Sequence, residues 1–477
     1  MPDHAKALLQ YASQATPFLS RDGEPCASIP GSVEHRTVVA LRSAGFRDWL
    51  IAKFYKDYDT APSAAAFRTA IRTLEARARY DNFPTQRVTR RLGFEGEPYL
   101  PSKITLDLAN PAGEILEITS RGWTIANNLR TAFHQSTTTL ALPHPQQPPA
   151  TNNQPLTTLR TLLNLPTDAA WRRAAAWLTC ALRPTGPYPI LILEGPAGSG
   201  KSVLARALRA LIDPSAAPVH RLPARDRDVL ELALHNWILI FDQVNRVPYK
   251  ISEALCAISS GDALEATQRD LRDPLVFEVA RPMILIAPHD ETQRAWTPPR
   301  SLANRTLTIQ LQPIAHPRPE SAIWSDFEAF HPAALAGLSK AVSTAIARIR
   351  DIDLHNVSRF PDAAAWAAAA APALGLDEAA IVDVFANPVS IWAGSDPLRE
   401  AIHAFLQSSG TWSGEAAGLL NQLRAQVPLA ALPSTPKALS QALPRVSGID
   451  IVRNKGAVTL TLTKSGDMQT ITGLARR

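Results

Sequence analysis

The stretch ILILEGPAGSGKSVLARAL, residues 190–208, decides the fold of the central part of this chain. Its segment from Gly195 to Ser202 matches the pattern G-x-x-x-x-G-K-[ST], with an apolar run before it and an amphipathic helical pattern after it. The glycines let the backbone curl so that its N–H groups face a phosphate, and the start of the following helix adds partial positive charge. The stretch therefore predicts a strand, a phosphate-binding loop and a helix in succession.

This predicted loop carries the side chains that a nucleotide and its metal ion need. Lys201 can bridge the β- and γ-phosphates of ATP, and Ser202 can ligate Mg²⁺. The alternative is a glycine-rich turn that carries Lys and Ser by chance, which average residue frequencies place on the order of one per cent for a chain of this length. We therefore predict ATP and Mg²⁺ as cofactors, with a loop formed by Gly195, Pro196, Ala197, Gly198, Ser199, Gly200, Lys201 and Ser202.

A second stretch, WILIFDQVNR at residues 237–246, runs from an apolar strand pattern into Asp242. It lies at the place where the second acidic motif of P-loop proteins holds the Mg²⁺ shell, and a surface Asp at a strand end is the alternative interpretation. The next residue is Gln243, where many ATP-hydrolysing proteins carry Glu. An amide can orient an attacking water but cannot accept its proton, and general-base help is worth about 10²–10⁴-fold. Because phosphoryl transfer depends mainly on positioning and charge stabilisation, we expect slow or partner-gated hydrolysis rather than none.

Length and composition are typical of a globular protein with several cores. The chain has 477 residues, of which 45% are hydrophobic, and a length of this order predicts roughly three or four domains. Its net charge of +6 is compatible with a polyanionic partner but does not specify one. Three widely spaced cysteines indicate neither a disulfide framework nor a zinc site. Without a signal-peptide pattern or an apolar run of roughly 20 residues, we expect a cytoplasmic protein with no membrane partner.

Changes of composition along the chain predict its organisation. A loosely ordered N-terminus (1–30) precedes an N-terminal α+β domain (31–140), a Pro/Gln-rich linker (141–156), an ATPase core (157–320), a helical region (321–390), a domain that resembles a winged helix (391–467) and a tail (468–477). Within the ATPase core, strand and helix patterns alternate from Pro189 to Ile314, which is typical of a parallel sheet.

Two patterns stand out in the predicted N-terminal domain. Helical spacing predicts amphipathic helices between about 36 and 80, and residues 102–123 predict a β-hairpin. The aromatic and basic residues of the helices could stack bases, although a buried face with solvated Lys and Arg is the favoured interpretation. The acidic residues of the hairpin form no paired motif of a polymerising site, so we predict no primase activity.

The run from Asn236 to Pro282, with SEALCAISSGDALEATQ at residues 252–268, resembles the ATPase domain of replication proteins of bacterial prophages and integrated mobile elements. These are AAA+ ATPases related to the superfamily 3 and poxvirus-type primase-helicases, and the resemblance is strongest over about 180–315. It implies a multidomain α/β fold: an AAA+ P-loop ATPase core with a parallel sheet, an N-terminal α+β domain, a helical region and a C-terminal winged-helix-like domain. It also implies a homo-oligomeric ring, such as a hexamer, that acts on DNA.

The resemblance bears on two positions near the predicted nucleotide. An amide after the motif aspartate is common in such relatives, so Gln243 does not depart sharply from this group. The strand MILIAP, residues 283–288, should end in a polar residue, typically Asn, that senses the γ-phosphate. Ile286 and Ala287 occupy that place instead. We therefore expect an incomplete water-positioning network and reduced hydrolysis.

Arg305 precedes a predicted strand, where this kind of ATPase inserts an arginine into the site of a neighbouring subunit. Such an arginine stabilises transition-state charge only if subunits form a ring. A surface arginine at a strand start is the alternative, and Arg294 and Arg300 compete for the same role.

The segment 263–280, ALEATQRDLRDPLVFEVA, predicts two short strands with charged residues at their tip. In related ring helicases a hairpin here projects into the pore and grips single-stranded DNA. Arg269 and Arg272 would contact phosphates, a role that depends on salt but not on sequence. A structural hairpin is the alternative, because Asp270 and Asp273 neutralise the tip.

The C-terminal segment resembles a winged helix and could bind duplex DNA. Thr435 can cap a third helix, on which Lys437 and Gln441 share one face and could enter a major groove. Arg453 and Lys455 would contact phosphates from the wing. Since winged helices also mediate protein contacts, that role stays open as the alternative.

These motifs together favour an enzyme: an ATP-hydrolysing AAA+ DNA translocase, helicase or initiator in replication of a prophage or mobile element. Lys201, Ser202 and Asp242 would hold Mg–ATP, and Gln243 would orient water. The alternative is an ATP-dependent assembly switch on DNA that hydrolyses little. A small-molecule kinase fits poorly, because it would need a substrate pocket and lid arginines and would not explain the C-terminal segment.

Overall fold

A computed structural model describes residues 4–464 except 22, 31–35, 128–130, 148–154, 166, 267–274, 288–298, 355, 356, 358, 387–397, 399, 400, 403, 407–410, 427–434, 444–448 and 454–458. The chain divides into two compact units, Met1–Pro388 and Val389–Arg477.

The larger unit begins with a module of three helices and a three-stranded sheet. Its elements are α1 His4–Ala12, β1 Thr16–Leu19, β2 Pro25–Pro30, β3 Arg36–Ala40, α2 Ala44–Tyr58 and α3 Ala64–Tyr80. The strands pair antiparallel in the order β1-β2-β3. Ser43 and Ser63 are the N-caps of α2 and α3, since each hydroxyl accepts a hydrogen bond at 3.2 Å from the N–H group three residues further on. Helix residues such as Phe46, Leu50 and Leu74 share one buried core with the sheet.

The expected loose order of residues 1–30 is wrong for the described residues of that segment. They form α1, β1 and β2, and Leu8 of α1 is fully buried where this helix packs on α3. Residues 36–40 likewise form β3 and not the start of a helix. These elements are too short to show a hydrophobic period, so their partners elsewhere in the chain decide their structure.

Residues 88–133 form a second, four-stranded antiparallel sheet and a short parallel pair. The strands are β4 Val88–Thr89, β5 Leu92–Gly96, β6 Pro101–Asp107, β7 Glu114–Thr119, β8 Gly122–Asn127 and β9 Ala132–Phe133, ordered β5-β6-β7-β8 with β4 beside β9. The predicted hairpin is confirmed as β6 and β7. Asn110 closes its turn, because its backbone carbonyl accepts from Gly113 N and its side-chain carbonyl accepts from Glu114 N, both at 3.0 Å.

This second sheet shares its apolar face with the core of the central part of the unit. Ile104 and Leu116 are buried in one cluster with residues of the central helices. The segment expected as a linker, 141–156, joins that cluster: Leu142 is 3% exposed and its N–H donates to Leu108 O at 2.9 Å. The prediction of a free linker is therefore wrong for this part. A Pro-rich composition disfavours regular structure, but it does not prevent packing.

The central part is a mixed α/β structure around a five-stranded parallel sheet. Its elements are α4 Pro155–Leu162, α5 Asp168–Ala181, β10 Ile190–Glu194, α6 Lys201–Ala210, β11 His220–Arg221, α7 Asp226–His235, β12 Leu239–Asp242, α8 Tyr249–Ser260, β13 Ala263–Ala266, β14 Leu275–Glu278, β15 Met283–Ile286, α9 Arg300–Ala303 and β16 Thr306–Gln310. The sheet order is β11-β12-β15-β10-β16, and each pair is parallel. All residues of β10 are buried, as expected of a strand covered on both faces.

Helices cover one side of the larger unit. They are α10 Glu320–Arg348, α11 Pro361–Ala370 and α12 Glu378–Ala386, with 3₁₀ turns at Ile349–Asp351 and Ala371–Leu374. The many alanines of α11 let it approach α5 closely, and Trp366 anchors it there by donating from Nε1 to Thr179 O at 3.1 Å. None of the helices in the described part of the chain combines the length and apolar character needed to cross a bilayer.

The smaller unit contains β17 Trp412–Glu415, α13 Ala416–Gln426, α14 Pro436–Ala442, β18 Ile449–Arg453 and β19 Thr459–Lys464. Its strands form an antiparallel sheet in the order β17-β19-β18. Thr435 caps α14 as predicted, and Leu439 of α14 and Leu443 directly after it are buried. Strand β17 was not predicted, because WSGE has no alternating apolar pattern and is defined by its pairing with β19.

Candidate nucleotide site

The parallel sheet brings the carboxyl ends of β10 and β12 to one edge. Strand β15 lies between them and pairs Ile286 with Leu193 and Leu285 with Phe241. The loops that follow Glu194 and Asp242 therefore flank the end of β15. In parallel α/β sheets this edge is where ligands bind.

The glycine loop, residues 195–202, has a backbone that requires glycine at two positions. Gly195 has φ 149° and Gly200 has φ 83°, both in the region that side chains other than glycine rarely adopt. A Cβ at Gly195 would lie 2.6 Å from Leu311 O. Because Gly200 has no side chain, it cannot cap α6, and the first N–H groups of this helix face the loop. They are the donors that an anion at a helix N-terminus uses.

Lys201 is held at this loop by its own backbone. Its Nζ donates to Gly195 O at 2.5 Å and to Pro196 O at 2.7 Å. Partial burial lowers the pKa of the Lys201 ammonium, and the charge of Asp242 opposes that shift. An ammonium has three donors that can be redirected, so Lys201 can exchange carbonyl acceptors for phosphate oxygens without moving its Cα.

Ser202 and Asp242 meet although they lie far apart in the sequence. The Ser202 hydroxyl donates to Asp242 Oδ2 at 3.1 Å. Hydroxyl and carboxylate oxygens are the hard donors that Mg²⁺ prefers, and this ion usually combines one or two carboxylates with substrate phosphates and water. Among the described residues, no cluster of three or more His, Cys, Asp or Glu side chains could hold a metal. The pair therefore fits an Mg²⁺ ion that arrives with a nucleotide.

Gln243 follows Asp242 in a left-handed conformation, with φ 56°. Its N–H donates to Asp242 Oδ1 at 2.7 Å, and the next N–H, of Val244, donates to Ile286 O at 3.0 Å. Such a conformation costs a residue other than glycine about 1–3 kcal/mol and occurs preferentially at functional sites. The turn leaves the Gln243 side chain exposed at the edge that holds the glycine loop.

The position between these two loops, where the resemblance implies a polar sensor residue, is apolar. Ile286 ends β15 and is buried, and Ala287 is buried and donates its N–H to Leu193 O at 3.0 Å. The neighbouring polar group is Glu194, which is 8% exposed. Burial raises the pKa of the Glu194 carboxyl to about 7. In the described part of the chain, no hydrogen bond or ion pair engages this carboxyl group.

Asn164 belongs to the site and was not predicted. It lies after α4, with φ 52°, and its Nδ2 donates to Ser199 O at 3.2 Å and to Gln312 O at 3.1 Å. The amide thereby ties the glycine loop to the segment after β16. No local pattern marks this residue, because its partners lie 35 and 148 positions away.

Arg305 lies at the opposite edge of the sheet. It precedes β16, its carbonyl accepts from Ile190 N at the start of β10, and its guanidinium donates to Ser260 Oγ. Five strand residues separate this edge from the glycine loop, so Arg305 does not reach the glycine loop of its own chain. Of its two competitors, Arg294 lies outside the described residues, and for Arg300 only the position in α9 is described.

The predicted nucleic-acid residues are described only in part. The two short strands are confirmed as the antiparallel pair β13 and β14, but their tip with Arg269 and Arg272 lies outside the described residues. Lys437 is exposed on α14. The backbones of Gln441 and Arg453 lie on α14 and β18, and Lys455 lies outside the described residues.

A buried ion cluster stands at the far end of the helix that begins with Lys201. Asp213 accepts from Arg91 Nε at 3.1 Å, from Arg209 Nη2 at 3.4 Å and from the Ile238 N–H at 3.1 Å. Arg91 comes from the second sheet, and its remaining donors reach the carbonyls of Asp107, Leu140 and Pro214. The cluster therefore joins three parts of the unit: the second sheet, the end of α6 and the start of β12.

One family model matches the part of the chain that contains this site. Residues 156–383 match the family model described as "Actinomycete integrative conjugative element replication protein". The chain has no match among curated protein sequences.

Several solved structures resemble the chain at a distance. One is described as "SCCmec type IV Cch - active helicase", with 12% identity, a TM-score of 0.43 and coverage of 96% of this chain and 94% of that one. Another, of the C-terminal region of NrS-1 in its apo form, has 10% identity, a TM-score of 0.39 and coverage of 97% and 98%. A JCV helicase structure has 12% identity and a TM-score of 0.25, over 47% of this chain and 71% of that one.

The family match spans the glycine loop, Asp242, Gln243 and the helices that follow the sheet. The expected resemblance to replication proteins of integrated mobile elements is thus confirmed for the central part of the chain, whose residues 156–383 are similar in sequence to the replication proteins of actinomycete integrative conjugative elements.

Proposed function

We propose that this protein is a Mg²⁺- and ATP-dependent ATPase that acts on DNA in the replication of an integrated mobile element. The observation that carries the proposal is the 3.1 Å contact between Ser202 and Asp242 beside the glycine loop. Two residues from separate motifs meet there in the arrangement that Mg–ATP requires. The match of residues 156–383 to a family of replication proteins supports the biological setting.

The chain's own residues would bind and orient the nucleotide. The N–H groups at the start of α6 and the Lys201 ammonium bind phosphate oxygens. Ser202 and Asp242 hold Mg²⁺, which neutralises phosphate charge when it is bound. The exposed amide of Gln243 orients an attacking water but cannot accept its proton, so that proton passes to solvent or to the phosphate itself. Turnover is therefore slow without a partner.

A second candidate function is an ATP-dependent assembly switch that hydrolyses little. The apolar position of Ile286 favours it, because a buried isoleucine cannot hold a water at the end of β15. Gln243 also favours little hydrolysis, because its amide cannot accept the proton of an attacking water.

Assembly into an AAA+-type ring, such as a hexamer, would give Arg305 its function. Arg305 lies at the sheet edge away from its own glycine loop, so an arginine finger at this position would act on a site of a neighbouring subunit. Its donor bond to the Ser260 hydroxyl would hold the guanidinium in place until such a neighbour arrives. In a ring it would stabilise charge on the transferred phosphoryl group.

DNA would be contacted at two places, both separate from the nucleotide site. Among the described elements of the smaller unit, a strand is followed by two helices and two closing strands, an order that supports a winged helix. The proposed contacts are Lys437, Gln441, Arg453 and Lys455 in that unit, on duplex DNA, and Arg269 and Arg272 at the tip between β13 and β14, on a single strand in the pore.

The test is steady-state ATP hydrolysis by the full chain, with and without single-stranded DNA. We expect slow basal turnover that DNA stimulates and that Lys201→Ala abolishes. Lys340→Ala is the matched control, because it removes an exposed lysine of α10 far from the glycine loop in sequence. ATP binding without turnover in either condition would favour the assembly switch. Unchanged ATP affinity in Lys201→Ala would refute the assignment of the site.

A further inference from the structure

The exposed face of helix α3 in the N-terminal module carries a stripe of arginines. Arg68, Arg72 and Arg79 follow one another at intervals of four and seven residues, so they lie on one face of the helix, and all three are exposed. Their exposed neighbours along this side of the helix, Ala65, Thr69 and Ala76, are small. A helix face of this kind offers guanidinium groups with nothing bulky between them.

These arginines differ from Arg42, Arg47 and Arg77 of the same module, each of which has an acidic partner. Arg77 pairs with Asp81 at 2.8 Å, and Arg42 pairs with Glu75. Among the described residues, by contrast, no ion pair or side-chain hydrogen bond engages Arg68, Arg72 or Arg79. The only acid of α3 is Glu75, which is buried and already used. The stripe is therefore a concentration of exposed positive charge that could bind a negatively charged partner.

The spacing and chemistry of the stripe favour a phosphate backbone over other polyanions. Arg68 and Arg72 are separated by one helical turn, about 6 Å along the axis, and Arg79 lies about 10 Å further on. Helix α3 contains no lysine. The planar fork of arginine binds phosphate oxygens in pairs, which a lysine ammonium cannot do.

A membrane surface is disfavoured by the opposite face of the same helix. Ile71, Leu74 and Ala78 are buried in the core of the module, where α3 packs on α1 and β1. An amphipathic helix binds a bilayer by inserting its apolar face, and that face of α3 is already in use.

An exposed aromatic ring ends the stripe. Tyr80, the last residue of α3, is 80% exposed and directly follows Arg79. Proteins that bind single-stranded nucleic acids combine a basic track with aromatic rings on which bases stack. Stacking requires an unpaired base, so the ring favours a single strand over a duplex.

We propose that the exposed face of α3 is a contact surface for single-stranded DNA outside the ATPase core, with Arg68, Arg72 and Arg79 on successive phosphates and Tyr80 stacked on a base. The inference rests on the proposed function in taking DNA as the partner, and it assigns a task to the N-terminal module. The module would hold the strand near the ATPase while the core turns over.

The test is the affinity of the full chain for a fluorescent oligo(dT) over a series of salt concentrations. The variant Arg68→Gln/Arg72→Gln/Arg79→Gln should bind at least about tenfold more weakly at low salt. Its slope of log K against log[salt] should be smaller by about 2, since each lost single-strand phosphate contact removes about 0.7. The matched control is Arg121→Gln/Arg227→Gln/Arg350→Gln, which removes the same charge from exposed arginines elsewhere and should keep the wild-type slope.

A second measurement separates stacking from charge. Tyr80→Ala should weaken binding about tenfold, whereas Tyr80→Phe and the control Tyr99→Ala, at another exposed tyrosine, should retain it. Equal slopes for the stripe variant and its control would overturn the inference and leave the proposed function intact. Failure of the wild-type chain to bind DNA under any condition would refute both. Thermal unfolding of each variant shows whether a loss of binding comes from a loss of folding.

Discussion

The two ends of helix α6 carry charged side chains with opposite surroundings. At its start, Lys201 and Ser202 are partly exposed and donate to groups that a ligand can replace. At its end, Arg209 is buried and donates to Asp213, which also accepts from Arg91. The side chains at the first end remain partly accessible to solvent. At the second end, groups of the chain itself satisfy the buried charges, and their contacts join three elements.

Two buried carboxyl groups sharpen this contrast. Asp213, 6% exposed, accepts hydrogen bonds from two guanidinium groups and one backbone N–H group. Glu194, 8% exposed, lies directly before the glycine loop, and in the described part of the chain its carboxyl group has no such partner. Burial raises the pKa of Glu194 to about 7, because no partner among the described residues stabilises the charged form of this carboxyl group. A buried acid is stable when it is paired and tends to become neutral when it is not.

The largest expected effect is at Asp213, in the buried ion cluster at the end of α6. Asp213→Ala leaves two buried guanidinium groups without their counter-charge, which typically costs about 3–5 kcal/mol. We expect a strongly lowered midpoint of thermal unfolding or a failure to fold. Asp228→Ala is the matched control, because Asp228 pairs with an exposed arginine, Arg225, at 2.9 Å, and exposed pairs contribute little. Equal midpoints for the two variants would show that the buried cluster does not stabilise the unit.

The next largest effect is a pH dependence of stability that comes from Glu194, directly before the glycine loop. The folded-state pKa of Glu194, about 7, lies above the ordinary value of 4.5. Below pH 4.5 the carboxyl is neutral in both the folded and the unfolded state; as pH rises toward 7, only the unfolded chain ionises freely, so stability is lost. The loss amounts to roughly 3 kcal/mol once pH exceeds the folded pKa.

Glu194→Gln removes this titration. We therefore expect the variant to match the wild type in its unfolding midpoint at about pH 4 and to unfold at a higher temperature at about pH 8, both without nucleotide. A difference between the two proteins that stays constant between these two pH values would contradict the raised pKa.

The smallest effect concerns the residue that ties the glycine loop. Asn164→Gly keeps the left-handed backbone but removes both donor bonds, each worth about 0.5–1.5 kcal/mol. We expect ATP affinity to fall by up to about tenfold, as measured by titration with a fluorescent nucleotide. Asn82→Gly is the control, because Asn82 also has a positive φ, of 55°, but is exposed in the N-terminal module. An equal affinity in both variants would remove Asn164 from the site.

The predictions from sequence succeeded where a few neighbouring residues determine the structure. The glycine loop, the hairpin within residues 102–123 and the cap at Thr435 were all predicted from their local patterns. The hairpin tip and part of the C-terminal contacts remain predictions. The expectations for residues 1–30 and 141–156 failed, because weak periodicity and high proline content say nothing about packing partners elsewhere in the chain.

The sequence by itself determined the glycine loop, the acidic strand end and the resemblance to replication proteins of mobile elements, because each depends on residues that are close in the chain and whose backbone preferences are strong. Only the tertiary structure decided that Asn164 holds the glycine loop, that Asp213 gathers Arg91 and Arg209, and that Arg68, Arg72 and Arg79 of α3 have no acidic partner among the described residues. The physical reason is that hydrogen bonds and ion pairs depend on distance in space, and residues more than a hundred positions apart become neighbours only when the sheet and its helices pack.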